Sequence, residues 1–334
     1  MRLLSPINNK FRAVACLAAV GLMATACGGA DPSSNEGEQV TELTVGAAPS
    51  LSGMAVYGGV ADGSFEAAGL KVTAVPNKSA NEAIPQLLNG GTQIAMVDVI
   101  TAMQARTQGL PVKIVAPAGV QSTNGEAGKM SAASVIAKAD DKEINGAADL
   151  EGKKVGVPAL KTQTWMNIRA AIDAAGADSS KVDFVEVPPA QAADLVIQGE
   201  VDASTPNEPL ASIAISGGKV KHVMNTDAPG NEGAPSSVFM ATDEFIASNP
   251  DTIRTFAETV QGVATKINAD RDYAVEMAVS ELNFTKDQLD NAFVQTLGDK
   301  PVTTENLKKV SDLAVRYEVL TEVPEPSELI ADLG

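Results

Sequence analysis

The chain has 334 residues, of which 42 are acidic and 25 are basic, and its formal net charge is −17. Such an acidic surface disfavours binding to nucleic acid and to anionic membrane faces. The sequence holds one histidine, His222, and two cysteines, Cys16 and Cys27, so clusters of His or Cys ligands and Ser-His-Asp triads are nearly excluded. It also lacks a GxGxxG-like loop. We therefore predict no cofactor and no metal site.

The first 26 residues have the pattern of a signal peptide. Arg2, Lys10 and Arg12 precede an apolar or small-residue run at positions 14–26, which is shorter than the roughly 20 residues needed to span a bilayer. The run ends in "MATACGG", which resembles the bacterial lipobox, where the cysteine becomes the lipid-modified first residue of the mature protein. We therefore predict an extracytoplasmic protein anchored to the cell membrane through Cys27. The alternative is ordinary secretion, with a free Cys27.

The segment that follows Cys27 predicts a flexible connection. Residues 28–42, "GGADPSSNEGEQVTE", lack hydrophobic periodicity and are rich in Gly, Ser and acidic residues, which is typical of a linker. Residues 27–42 are thus expected to form the lipid anchor and its tether. About 290 residues remain, enough for one large or two modest domains.

After the tether, strand patterns and helix patterns alternate twice along the chain. In the first pass "LTVGAA", "LKVTAV", "TQIAMV" and "VKIVA" read as strands, with helix patterns between them. In the second pass the strand patterns are "KKVGV", "KVDFVEV", "VDAST" and "VKHVM". Such alternation predicts a largely parallel α/β sheet. The two passes also match in the positions of Pro and Gly. We therefore predict two α/β lobes of similar topology; the alternative is that the two stretches resemble each other by chance.

Two apolar segments, residues 131–140 and 235–245, flank the second pass and are predicted to be crossover strands at its edges. The helix patterns after residue 250 are expected to cover the first lobe. The predicted domain boundaries are residues 43–133 plus 238–334 for lobe I and 134–237 for lobe II. Since open α/β sheets bind ligands at the carboxyl ends of their strands, facing strand ends would form a ligand cleft between the lobes.

Several segments resemble the extracytoplasmic solute-binding proteins of ABC importers. These are "VADGSFEAAGLKV", "AIPQLLNGGTQIAMVD", "INGAADLEGKKVGVP" and "VIQGEVDASTPNEP". The branch that they resemble binds aliphatic sulfonates, taurine, nitrate and thiamine pyrimidine precursors, and the likeness extends from Leu43 to about Leu320. It implies a type II periplasmic-binding-protein fold, in which two lobes joined by two crossovers deliver a solute to a permease and its ATPase. It also implies a monomer. The first loop, "PSLSGMAVYGG", departs from the family pattern.

The loop before the second-lobe helix offers three candidate ligand contacts. Thr162 and Thr164 could donate hydrogen bonds to a solute, and helix N-termini favour anionic groups; either residue could instead be the N-cap of the helix. Trp165, the only tryptophan, could be a stacking platform or a core residue. By strand polarity the loop lies on the cleft side, which favours the platform.

Acidic residues follow the third strand pattern of each pass. Asp98 follows "TQIAMV", and Asn207 with Glu208 follows "VDAST"; each could contact a ligand or cap the helix that comes next. In the first loop Tyr57, Ser50 and Ser52 are further candidates, with core packing as the alternative for Tyr57. Carboxylates in both lobes together with aromatic rings suit an amine or a nitrogen heterocycle, and they disfavour nitrate.

The leading hypothesis is therefore a solute receptor for ABC import, with a sulfonate- or taurine-like solute and an amine- or heterocycle-like solute both left open. A ligand-sensing lipoprotein with the same fold is the second hypothesis, which the gene neighbourhood would distinguish from transport. An enzyme similar to the pyrimidine-precursor synthases is the third. It is disfavoured because those relatives are associated with His- and Cys-rich segments that this chain lacks.

Overall fold

A computed structural model describes residues 41–77, 80–121, 131–227 and 229–334. The predicted signal peptide, Cys27 and almost all of the predicted tether lie outside these described residues. The strands are β1 (Thr41–Ala47), β2 (Leu70–Pro76), β3 (Ile94–Asp98), β4 (Val112–Val120), β5 (Ser134–Lys138), β6 (Lys154–Val157), β7 (Asp183–Glu186), β8 (Ala203–Ser204), β9 (Val220–Asn225) and β10 (Pro235–Thr242).

The helices lie between and after these strands. They are α1 (Met54–Ala61), α2 (Ser64–Ala67), α3 (Ala80–Leu88), α4 (Val99–Thr107), α5 (Gln163–Ala174), α6 (Ala192–Gln198), α7 (Leu210–Ser216), α8 (Asp243–Ser248), α9 (Pro250–Ala269), α10 (Arg271–Leu282), α11 (Lys286–Leu289), α12 (Thr304–Arg316) and α13 (Pro326–Leu329). Short 3-10 turns occur at Leu51–Gly53, Ala147–Leu150, Ser179–Lys181 and Pro189–Gln191.

The strands form two five-stranded sheets with the same topology. The order is β2-β1-β3-β10-β4 in the first sheet and β7-β6-β8-β5-β9 in the second. β1 pairs in parallel with β2 and β3 in the first sheet, and β6 pairs in parallel with β7 and β8 in the second. We call the first sheet with its covering helices the first lobe, and the second sheet with α5–α7 the second lobe. The sequence prediction of two similar α/β lobes is confirmed.

The segments predicted as crossovers occupy the fourth position of each sheet. β5 is antiparallel to β8 and β9, and β10 is antiparallel to β3 and β4. Each of these segments is thus an inner strand of its sheet. Both strands are almost wholly buried, because each has a neighbour on either side. The predicted boundary at residues 237/238 falls inside β10, which begins at Pro235; the domain boundaries themselves stay a prediction.

The largest apolar cluster lies on one face of the first sheet, under α9. The apolar positions of α9 are spaced three and four residues apart and are all buried, so one face of this helix is covered by the sheet. Phe256 from α9 packs edge-to-face on Phe239, with ring centroids 5.4 Å apart, and stacks on Phe65 at 5.7 Å. These aromatic residues are core residues of the first lobe.

The helix pattern after the first strand, "MAVYGGVADGSFEAAG", forms two helices, α1 and α2, instead of one. Gly63 between them has φ of 74°, a left-handed conformation that glycine adopts without steric strain. Within α1, Gly59 lies against Phe65: a Cβ on Gly59 would come within 2.7 Å of the ring. Glycine at this position thus allows the close approach of the two helices.

Helix α5 is shared by the two lobes. Ile168 and Ile172 are fully buried in the core of the second lobe, whereas Met166 and Ala170 are buried with residues of α4, β10 and α12 in the first lobe. Each pair is spaced four residues apart, so the pairs define two different faces of the helix. The position of α5 therefore fixes how the two lobes meet.

Candidate functional site between the lobes

The predicted site residues follow the carboxyl ends of parallel strands in both sheets. Ser50 and Ser52 follow β1, Asp98 ends β3, Thr162, Thr164 and Trp165 follow β6, and Asn207 and Glu208 follow β8. Ends of parallel strands in one sheet lie at one edge. The structure also shows which of these side chains already have partners within the protein.

Asp98 caps α4 and also faces the start of α5. Its Oδ1 atom accepts hydrogen bonds from the backbone N–H groups of Ile100 and Thr101, each at 3.1 Å, at the N-terminus of α4. The same carboxyl faces the backbone N–H of Gln163, at the start of α5 in the second lobe. Burial raises the pKa of Asp98 although these donors oppose the shift. The capping alternative for Asp98 is thus realised, and the carboxylate joins the lobes.

Thr162 does not cap α5 with its side chain. It lies at the N-cap position with an extended backbone, but its hydroxyl donates to the carbonyl oxygen of Ala159 at 3.0 Å. The side chain that faces the first backbone N–H of α5 is instead the carboxyl of Asp98 from the first lobe. Thr164 is partly buried in the first turn of α5.

Two amide side chains on α5 contact the segments that connect the lobes. Gln163 Nε2 donates to the carbonyl oxygen of Pro235 at 3.2 Å, and Asn167 Nδ2 donates to Gln121 Oε1 at 3.0 Å. Both side chains are buried, and they lie four residues apart on one face of the helix. Sequence reasoning missed them. The sequence feature that could have indicated them is a pair of amide side chains four residues apart, on either side of Trp165.

Glu208 is a buried carboxyl at the other contact between the lobes. Only 3% of its surface is exposed, and its Oε1 accepts a hydrogen bond from Ser212 Oγ at 3.1 Å. Its Oε2 is buried and has no hydrogen-bond partner among the described residues. Burial raises the pKa of Glu208 to about 7, opposed by Ser212 and by the backbone N–H of Phe293 from the first lobe. The preceding residue, Asn207, is partly buried and pairs with Ala133.

Trp165 packs against side chains from both lobes. Its ring meets Phe184 edge-to-face, with centroids 5.9 Å apart, and the guanidinium carbon of Arg169 lies 4.8 Å from the ring centroid. The side chain contacts the apolar clusters of both lobes. These contacts realise the packing alternative; a role of Trp165 in solute binding stays a prediction.

Among the first-loop candidates, Tyr57 is directed toward its own lobe. Tyr57 donates its hydroxyl to the carbonyl oxygen of Ala47 at 3.1 Å and packs on the cluster beneath α9; burial raises its pKa. Ser50 and Ser52 are partly buried. Tyr57 and Trp165 belong to different clusters, so the two predicted aromatic candidates do not contact a common core.

Comparison with protein families gives a match over most of the chain. The model described as NMT1/THI5 like matches residues 52–270, which is well over half of the sequence. The chain belongs to the NMT1/THI5-like family. No curated protein sequence matches it significantly.

Solved structures share the fold of this NMT1/THI5-like chain at low sequence identity. The zinc-bound ligand-binding component of an ABC-type import system from Staphylococcus aureus has a TM-score of 0.72 and 13% identity, over 87% of this chain and 96% of that one. The periplasmic aliphatic sulphonate binding protein SsuA from Escherichia coli has a TM-score of 0.66 and 19% identity, over 86% and 96%. The desulfurization enzyme DszB has a TM-score of 0.63 and 12% identity, over 87% and 96%. The predicted periplasmic-binding-protein fold is confirmed.

Clusters of metal-ligating side chains and membrane-spanning helices are both absent from the described part of this family member. Within it, no group of three or more His, Cys, Asp or Glu side chains is placed to hold a metal ion. None of the helices in the same part combines the length and the apolar character needed to cross a membrane. The only histidine, His222, lies on β9 with its Nε2 atom 2.9 Å from Asn225 Oδ1.

Proposed function

We propose that the chain is the solute-binding protein of an ABC importer, which captures a small organic solute between its lobes and delivers it to a membrane permease with its ATPase. The proposal is supported by the family, by the two-lobed fold and by the likeness to import components. The observation that carries it is the position of Asp98 and Glu208. They follow equivalent strands of the two lobes, and each faces backbone of the opposite lobe.

The solute that we propose is an amine or a nitrogen heterocycle that carries a donor. Glu208 Oε2 is buried without a partner among the described residues, and a buried carboxylate without a partner is costly. A hydrogen bond from a charged donor is worth about 1.5–3 kcal/mol. An anionic group, such as a sulfonate, would instead meet the carboxyls of Asp98 and Glu208. Because a cation favours the ionised form of Glu208, the affinity for a cationic solute should increase as the pH rises from 6 to 8.

A thermal-shift screen of amines, nitrogen heterocycles and sulfonates, followed by calorimetric titration, tests this proposal. We expect a nitrogen base to stabilise the protein in a saturable way, by about 2.7 kcal/mol at a hundred times Kd. The variant Glu208→Gln should bind it more weakly, whereas Glu200→Gln, an exposed control in the same lobe, should not. Stabilisation by sulfonates alone would contradict the solute class, and no stabilisation by any class would count against solute capture.

The proposed cellular location rests on residues outside the described part of the chain. We infer export by a signal peptide at residues 1–26, lipidation of Cys27 and a tether to residue 42, with the protein acting as a monomer. Palmitate labelling of cells should mark the wild-type protein and not Cys27→Ser, which should leave the membrane fraction. Equal labelling of both proteins would refute the anchor. A dimer in light scattering would refute the monomer.

Binding rather than catalysis is proposed although DszB, an enzyme, has a similar fold. The support is the scarcity of nucleophilic and acid–base side chains of the His and Cys type: the chain has one histidine, and no cysteine follows Cys27. A fold shared by binding proteins and an enzyme does not decide between them. Mass spectrometry of a stabilising solute after prolonged incubation should recover it unchanged. Conversion of the solute would overturn a purely binding role.

A further inference from the structure

We propose that Tyr317, Arg169 and Asp173 form a latch that holds α5 of the second lobe on α12 of the first, so that movement of one lobe relative to the other must release it. The latch lies outside the set of residues predicted from the sequence. It does not depend on the identity of the solute.

The contacts of the latch join the two lobes directly. The hydroxyl of Tyr317, immediately after α12, donates to Asp173 Oδ2 on α5 at 2.7 Å. The guanidinium carbon of Arg169 lies 5.1 Å from the ring centroid of Tyr317 and 4.8 Å from that of Trp165. Cation–π contacts of this length are attractive. One side chain of the first lobe is thus bound by two side chains on consecutive turns of α5.

The protonation states at neutral pH suit the hydrogen bond. Burial, together with the Asp173 carboxylate, raises the pKa of Tyr317 to about 12, so its hydroxyl remains a donor. The pKa of Asp173 is lowered because hydrogen bonds from Tyr317 and Ser179 outweigh the opposing effect of burial. The acceptor is therefore a carboxylate, which makes a charge-assisted bond.

Movement of the lobes acts on this contact because one face of α5 is anchored in the core of the second lobe. Ile168 and Ile172 anchor the helix in the core of that lobe, while Tyr317 is only 6% exposed in the first lobe. A twelve-residue helix is about 18 Å long, and the latch lies at its C-terminal half, away from Asp98 and Gln163. A hydrogen bond weakens once its atoms separate by a few tenths of an ångström beyond about 3.2 Å. Rotation of the second lobe about the connecting segments therefore strains the latch.

The consequence for affinity rests on the proposed solute-binding function. If the lobes must separate to admit a solute, the apparent Kd depends on the fraction of molecules in the competent arrangement. Weakening the latch changes that fraction without replacing any residue that is predicted to contact the solute. The lobe equilibrium itself can be measured without any solute, so the two proposals can fail separately.

The test uses the fluorescence of Trp165 as the reporter and a second tyrosine–aspartate hydrogen bond as the control. Trp165 is the only tryptophan and lies beside the latch, so its emission reports on this contact. The variant Tyr317→Phe removes only the hydroxyl. The matched control is Tyr273→Phe, because Tyr273 donates to Asp62 Oδ2 at 2.8 Å, a bond of the same kind made entirely within the first lobe.

We expect Tyr317→Phe to shift the lobe equilibrium by about tenfold, the size associated with a hydrogen bond to a charged group. The readouts are greater quenching of Trp165 fluorescence by acrylamide and a larger radius of gyration in solution scattering, in purified protein without added solute. Tyr273→Phe should leave both at the wild-type values, and circular dichroism should verify that both variants are folded. Unchanged quenching and radius in Tyr317→Phe, or equal changes in both variants, would overturn the latch.

Discussion

Replacing Glu208 by glutamine should make the stability of the protein less dependent on pH. In the folded chain burial raises the pKa of this carboxyl from 4.5 to about 7, so the folded state binds the proton more tightly than the unfolded state. Below pH 4.5 both states are protonated and the group has no net effect. As the pH rises from 4.5 to 7 the unfolded state ionises first, and the contribution of Glu208 to stability falls.

The size of the effect follows from the same two values. One pKa unit corresponds to about 1.4 kcal/mol, so the loss through Glu208 approaches 3 kcal/mol at pH 8. Glutamine has a similar shape, keeps an oxygen that can accept from Ser212 and does not ionise. The free energy of unfolding of Glu208→Gln should therefore rise relative to the wild type by up to about 3 kcal/mol between pH 5 and pH 8.

Urea unfolding at a series of pH values from 5 to 8 provides the measurement. The informative quantity is the difference between the two proteins as a function of pH, because every group common to both cancels. The exposed substitution Glu200→Gln controls for a change of net charge. Parallel curves for Glu208→Gln and the wild type across this range would refute the reasoning that burial keeps Glu208 protonated near neutrality.

Two further predictions concern packing and capping. Gly59→Ala should destabilise the protein by about 1–3 kcal/mol, because the added methyl group would meet Phe65 at 2.7 Å and Val263 at 3.1 Å. Gly58→Ala, in the same helix, meets nothing nearer than Met277 at 3.5 Å and should be neutral or stabilising in thermal unfolding; the opposite order would contradict the packing. Asp98→Ala should lower stability by about 1–2 kcal/mol through the lost cap and also increase hydrogen exchange at the first turn of α5. Thr242→Ala removes a cap confined to the first lobe, so it should leave α5 protected, and equal exchange in both variants would exclude capping between lobes.

The sequence was informative wherever a signal is local. Gly90 and Gly199 follow helix patterns at equivalent points of the two passes, which is where a helix C′ glycine is expected, and both have left-handed backbone conformations there. The apolar spacing in α9 likewise predicted its buried face. Such features depend on residues within a few positions of each other, so the pattern of one segment suffices to indicate them.

The features that the sequence did not predict depend on partners from distant segments. β10 has an apolar strand pattern, but nothing in that pattern says that it separates β3 from β4. The sequence indicated Thr162 or Thr164 as the N-cap of α5, whereas the side chain that faces the first N–H of this helix is Asp98, from the other sheet. Trp165 is a further case, since its aromatic partner Phe184 lies on β7, and only the fold brings β7 beside α5.

The two sheets differ in which parts of the chain their strands come from. All strands of the second sheet come from one continuous stretch, β5 through β9, whereas the first sheet needs β10, which is made after the whole second lobe. Among the strands of its sheet β4 pairs only with β10, so the side of β4 that faces β10 has no strand partner until residue 242 has been synthesised. The first lobe is therefore the last to be completed, and its assembly requires contacts across more than a hundred residues of intervening chain. Such distant pairing is intrinsically slow, so closure of the first sheet is expected to limit the rate at which the protein folds.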